Sequence, residues 1–139
     1  MKRVCGVVIS SSTASFVILE GVKSDFTIVQ SEVRKITLGD DGLQSQLRTF
    51  SESVNDMFKQ NNIHKVFIKR PSTSGRFQAK HAAFKIETLI QFGEIDVDLV
   101  AAQTIAALFK IDARLIPVMD NVLKYQQGAL EAAYYGLNE

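Results

Sequence analysis

Three strand-like runs precede Gly39, and after Leu43 helical and strand-like segments alternate. That order constrains the fold more than any single motif does. Arg3–Ile9 is apolar at nearly every position, as in a strand covered on both faces. Ser10–Thr13 is a hydroxyl-rich turn, and SFVILEG resumes as a second strand ending near Gly21. DFTIVQSEVRKITL carries β-branched and aromatic residues at about every second position, which predicts a third strand. Gly39-Asp40-Asp41-Gly42 ends this meander.

From Leu43 the period changes. Leu43, Leu47, Phe50, Val54, Met57 and Phe58 share one helical face, with Asp40 or Asp41 expected to cap its start. KVFIK reads as a short buried strand and RPSTSG as a loop. A second helix is expected from Arg76, gathering Ala79, Ala82, Ala83, Ile86, Leu89 and Ile90 and ending near Gly93. DVDLVA makes a fifth strand and AQTIAALFK a short helix, broken at Ile116-Pro117. A final helix over about 121–137 sets Val122, Leu123, Gln126, Ala129, Leu130, Ala133 and Leu137 together. The order βββαβαβαα predicts an α/β fold, a mixed five-stranded sheet with helices on both faces.

Size and charge narrow the function classes. The 139 residues suit one domain spanning 1–139, long enough to bury a core without staples. No apolar run approaches the roughly 20 residues that span a bilayer, so a membrane role is not expected. Lys2 and Arg3 precede an apolar run too short for a signal peptide, and the start is read as mature protein. The one cysteine, Cys5, lies inside that run and is expected to be buried and inert, in keeping with a cytoplasmic protein. A net charge of +1 exerts no global pull on nucleic acid, so such binding needs a local patch.

One patch stands out. Lys65, Lys69, Arg70, Arg76, Lys80 and Lys85 fall in a stretch without Asp or Glu. Between them lies PSTSG, running into a predicted helix whose N-terminus presents free N–H groups and the positive end of its dipole. Cations are mildly disfavoured there, so Arg76 and Lys80 stand where stability alone prefers acids. Lys69, Arg70, Ser72, Thr73, Ser74, Arg76 and Lys80 therefore form a candidate anion site suited to phosphate. A solvated basic face without a ligand accounts for the same residues, and both readings stay open. Phe77 and Phe84 suit core or dimer contacts better than base stacking. Tyr125, Tyr134 and Tyr135 form a further candidate contact surface.

Several local segments resemble a known group. VCGVVISSSTASFVIL is similar to the first hairpin of RuvC Holliday-junction resolvases, within the ribonuclease H-like fold. KVFIKR resembles the fourth strand of that group. GRFQAKHAAFKIETLIQFG with VDLVAAQTIAALF resembles the next helix, strand and helix, and QGALEAAYYGL resembles the last helix. The nearest likeness is to a small bacterial family of RuvC-like domains of unknown function.

The resemblance implies carboxylates converging on paired Mg²⁺ ions. Carried over, the first-strand Asp falls on Val8 and the fourth-strand Glu on Lys69, or on Arg70 with a slip of one. The last-helix acid pair falls on Gly128 and Glu131. Only Glu131 is an acid, so the likeness implies a domain without the nuclease centre, hence no metal and no cofactor. The expectation is a catalytically inactive RuvC-like domain that binds nucleic acid or another phosphate-bearing partner, as a homodimer built on the second helix. Two alternatives are an active Mg²⁺-dependent nuclease with rearranged acids, and a protein–protein module, which the near-neutral charge favours. Asp40-Asp41 reads as a turn and cap, Asp96/Asp98 as strand-edge punctuation, and neither histidine has zinc-ligand spacing.

Overall fold

The computed structural model describes residues 2–71, 81–111 and 122–139. Its elements are β1 (Arg3–Ser10), β2 (Thr13–Val22), β3 (Asp25–Val29), β4 (Lys35–Thr37), α1 (Gln44–Gln60), β5 (Lys65–Lys69), α2 (His81–Gln91), β6 (Asp96–Val100), α3 (Ala102–Ile111) and α4 (Gln127–Gly136). A 3-10 turn, Lys124–Gln126, leads into α4. The sheet runs β3-β2-β1-β5-β6, with β4 also paired to β2. β1, β5 and β6 are parallel, while β2 pairs antiparallel with β1, β3 and β4.

Alternation along β1 explains why it reads as continuously apolar. Cys5, Val7 and Ile9 enter one core with α1 and α2, through Phe50, Val54, Met57, Phe58, Ala83, Ile86 and Ile90. Val4 enters the opposite core with Val17, Leu19, Phe67, Ile105 and α4. Both faces of the sheet are thus covered by helices, as the element order predicts. Gly6 faces α4, where a Cβ would lie 1.9 Å from the Ala129 carbonyl oxygen and 2.5 Å from the Ala133 nitrogen. Helix α4 therefore rests directly on the β1 backbone, and Ala129, Ala132 and Ala133 let it approach.

Four local expectations change. The third run is two strands rather than one, so the sheet has six strands among the described residues. Asp40 does not cap α1: Leu43 stands at the N-cap without a side-chain bond, and the Asp40 Oδ1 accepts from the Gly42 N–H at 2.9 Å. A two-residue Asx-type turn offers that carboxylate a nearer donor than the helix does. The last helix starts at Gln127, leaving Leu123 half exposed. Of the three tyrosines, Tyr134 is fully buried and presents no contact surface.

The serines that follow β1 form the expected turn. Ser10 pairs with Thr13, so Ser11 and Ser12 are the two loop residues. Ser11 takes a positive φ of 53°, a conformation that short hairpin loops require. The Ser12 carbonyl accepts from the Leu38 N–H at 2.7 Å, which ties the end of β4 back to the hairpin.

Candidate functional site

Strand register brings the four carried-over positions together. Val8 lies opposite Lys69 in the parallel β1–β5 ladder, so both side chains share the face covered by α4. From α4, Glu131 reaches Lys69, with Oε1 3.6 Å from Nζ. The two side chains are only 18% and 28% exposed, so the pair is partly withdrawn from water. A Cβ on Gly128 would lie 2.8 Å from Val8 Cγ2, so this turn of α4 presses on the valine. The cluster sits at the carboxyl ends of the parallel strands, where open α/β sheets place ligand sites.

These residues do not fit a two-metal centre. An ammonium repels a divalent cation, valine and glycine offer no ligand, and the remaining carboxylate is already paired. Among the described residues no group of three or more His, Cys, Asp or Glu converges as a metal site.

The same row extends outward across the sheet. Val8 is opposite Ser15, and Ser15 is opposite Lys35, so Lys35, Ser15, Val8 and Lys69 line up across β4, β2, β1 and β5. Next to it, the hydroxyls of Thr13 and Thr37 meet at 3.0 Å.

The basic stretch has a different character from its sequence. Lys65 lies 2.9 Å from Asp98 and 3.6 Å from Asp96. The hydrogen bond it donates to Asp98 raises the Lys65 pKa above its ordinary value. Arg70 on the opposite face meets Glu87 at 3.5 Å, and its backbone N–H donates to the Val100 carbonyl. Glu87 is 6% exposed, and its Oε2 has no hydrogen-bond partner among the described residues. Lys85 pairs with Asp41 at 3.7 Å. The acids that neutralise this stretch come from β6, α2, α4 and the loop before α1, which is why a run free of acids in sequence is not free of them in space. Ser72, Thr73, Ser74, Arg76, Phe77 and Lys80 lie outside the described residues.

Cys5 is fully buried, and burial pushes its thiol far above the ordinary range. It has no role as a nucleophile or ligand in this state. No helix among the described residues is long and apolar enough to cross a membrane.

Sheet order, both helical layers and the site position define a ribonuclease H-like, RuvC-like fold. The chain is similar in structure to Thermus thermophilus RuvC, with a TM-score of 0.72 and 7% identity over 95% of this chain and 91% of that one. It is likewise similar to T. thermophilus RuvC in complex with Holliday junction substrate, with a TM-score of 0.68 and 8% identity over 96% and 91% of the two chains. The Fowlpox virus resolvase bound to substrate Holliday junction DNA gives a TM-score of 0.51 and 14% identity over 98% and 93%. Within this class, the chain belongs to the family described as "Protein of unknown function (DUF3010)", whose model matches residues 1–136. Among curated proteins none matches it.

Proposed function

We propose that this chain is a RuvC-like domain that binds nucleic acid, or another phosphate-bearing partner, without cleaving it through a metal centre. The observation that carries this reading is the Lys69–Glu131 ion pair, 3.6 Å apart at the position where the resemblance places metal-binding acids. A bound phosphodiester there meets an ammonium rather than a metal ion. Ser72, Thr73, Ser74, Arg76 and Lys80 follow β5 in the chain and supply further phosphate contacts in this proposal. The likeness to resolvases seen with junction DNA supports the choice of nucleic acid.

The test is a gel-shift and cleavage experiment on a labelled four-way DNA junction, with EDTA, Mg²⁺ or Mn²⁺. Binding that weakens steeply with salt, is indifferent to metal and yields no product fits the proposal. Arg76→Glu/Lys80→Glu should abolish it. Metal-dependent cleavage that disappears in Glu131→Gln would instead establish an active nuclease, and absence of any binding would favour a protein–protein module.

A second copy is the proposed partner for the outer face of α2, in a cytoplasmic setting. Leu47, Phe84, Thr88 and Leu89 line a mostly apolar hollow of about 400 Å³ between α1 and α2. Sedimentation velocity on the chain and on Phe84→Asp checks this: a dimer that becomes a monomer in the variant supports it.

A further inference from the structure

The cations of this protein divide into two kinds. Arg3, Lys23, Lys59, Lys65, Lys69, Arg70 and Lys85 each have a carboxylate within 3.8 Å. The other described cations include Arg34, Lys35 and Lys124, which fall just before and at the start of β4 and in the turn that carries Tyr125. Lys35 Nζ stands 4.9 Å from the centre of the Tyr125 ring. Lys124 precedes Tyr125 in the 3-10 turn. Arg34 precedes Lys35 and lines a cavity together with Leu123 and Gln126.

That cavity comes from the break between β3 and β4. Both strands pair with β2, but β4 stops at Ser15 and β3 begins at Ile18, which leaves a gap beside Phe16 and Val17. The buried side chain of Gln126 braces the gap. Its Nε2 donates to the Phe16 carbonyl at 3.1 Å, and its Oε1 accepts from the Leu123 N–H at 3.2 Å. The Phe16 N–H donates to the Arg34 carbonyl at 2.9 Å. The result is a fixed hollow of about 190 Å³ with Gln30, Ser31 and Arg34 on its wall. Beside it Tyr125 remains 40% exposed and Leu123 47% exposed.

We propose that this surface binds an unpaired nucleic-acid strand: Tyr125 stacks on a base, and Arg34, Lys35 and Lys124 contact the flanking phosphates. The proposal rests on the nucleic-acid reading above and narrows it to a single-stranded segment. An exposed ring set among cations matches a chain that alternates planar bases with phosphates. The paired hydroxyls of Thr13 and Thr37, beside Lys35 along β4, offer a further phosphate donor. An acidic peptide matches the charge but gives the ring nothing planar to stack on. The row through Ser15 and Val8 joins Lys35 to Lys69 over three strand steps, about 14 Å.

Fluorescence anisotropy with a short labelled oligothymidylate tests the proposal, with a four-way junction measured in parallel and thermal melts confirming that each variant folds. Tyr125→Ala should weaken oligothymidylate binding on the order of tenfold, the scale of one base–aromatic stack, and Tyr125→Phe should keep most of it. Lys35→Gln/Lys124→Gln should make the log-affinity against log-salt slope shallower by about 1.4, or 0.7 for each phosphate no longer neutralised. Photo-crosslinking of a 4-thiothymidine strand should label the peptide containing Tyr125. If the junction binds but the single strand does not, or if strand affinity, slope and crosslinks ignore these variants, this assignment is overturned and the broader reading stands. If wild type binds neither DNA, the broader reading falls as well. A polyglutamate peptide that binds as tightly, with the same dependence on Tyr125, would assign the surface to acidic protein segments and overturn the proposal.

Discussion

Lys69 Nζ lies 3.6 Å from Glu131 Oε1, joining the end of β5 to the middle of α4 above Val8. The ion pair links strand and helix directly where a metal centre would link them through a cation, and its consequences are measurable. It ties the helix to the sheet by charge at a place where Val8, Gly128 and the Lys69 ammonium leave no shared cation a cage.

Breaking one half of the pair should cost stability, because the survivor is left partly desolvated. Lys69→Met or Glu131→Gln should each lower the unfolding free energy by about 1–2 kcal/mol, between the ranges for exposed and buried pairs. The double variant Lys69→Met/Glu131→Leu should recover most of that decrease. Urea unfolding with unchanged m-values checks it.

Metal affinity should be absent in the wild type and creatable. Titrating Mn²⁺ into the native protein should give no site-specific heat. In Val8→Asp/Lys69→Glu, two new carboxylates join Glu131, so mutual repulsion should lower the melting temperature in EDTA and Mn²⁺ should raise it again. A wild-type protein that binds Mn²⁺ tightly, with affinity abolished in Glu131→Gln, would refute the closed-site reading.

Gly6→Ala should be among the most damaging single-methyl additions. The added carbon meets the backbone of Ala129 and Ala133, which cannot rotate away, so α4 must lift off β1. A decrease of about 3 kcal/mol is expected, at the upper end for overpacking. Gly42→Ala is the control: its nearest neighbour is Asp40 Oδ1 at 3.3 Å, a side-chain atom at a turn, and denaturant midpoints should barely move.

Cys5 should make the fold sensitive to alkali. Burial raises its pKa in the folded state above the ordinary 9.0, so only the unfolded chain gives up the proton near that pH. The Cys5 contribution is fully present below the unfolded pKa and declines as pH rises beyond it, by about 1.4 kcal/mol per pH unit. Stability measured from pH 7 to 10 should fall more steeply for wild type than for Cys5→Ala. A thiol reagent should leave the native protein unlabelled.

Much of the fold is legible in local chemistry. KVFIK is β5 to the residue, and DVDLV is β6 within the segment read for it, because short β-branched runs bounded by polar residues have few other uses. Phe50, Val54, Met57 and Phe58 are buried as their spacing requires. The break between β3 and β4 escapes a reading of the sequence because alternation continues through Gln30–Arg34 while the ladder does not. The Asp40 cap fails because an aspartate before a helix serves a turn equally well.

The site divides in the same way. Sequence alone set which side chains stand at Val8, Lys69, Gly128 and Glu131, and those identities already exclude a carboxylate cage. It also set the apolar spacing that puts helices on both faces, since periodicity is a property of neighbouring residues. Only the tertiary structure decided that the four positions meet, that Asp96, Asp98, Glu87 and Asp41 neutralise cations far from them in the chain, and that Lys35 comes to rest over Tyr125. The physical reason is range. Backbone propensity and side-chain periodicity act over a few residues, whereas electrostatic pairing follows distance in space, which strand register and the seating of α4 on Gly6 determine.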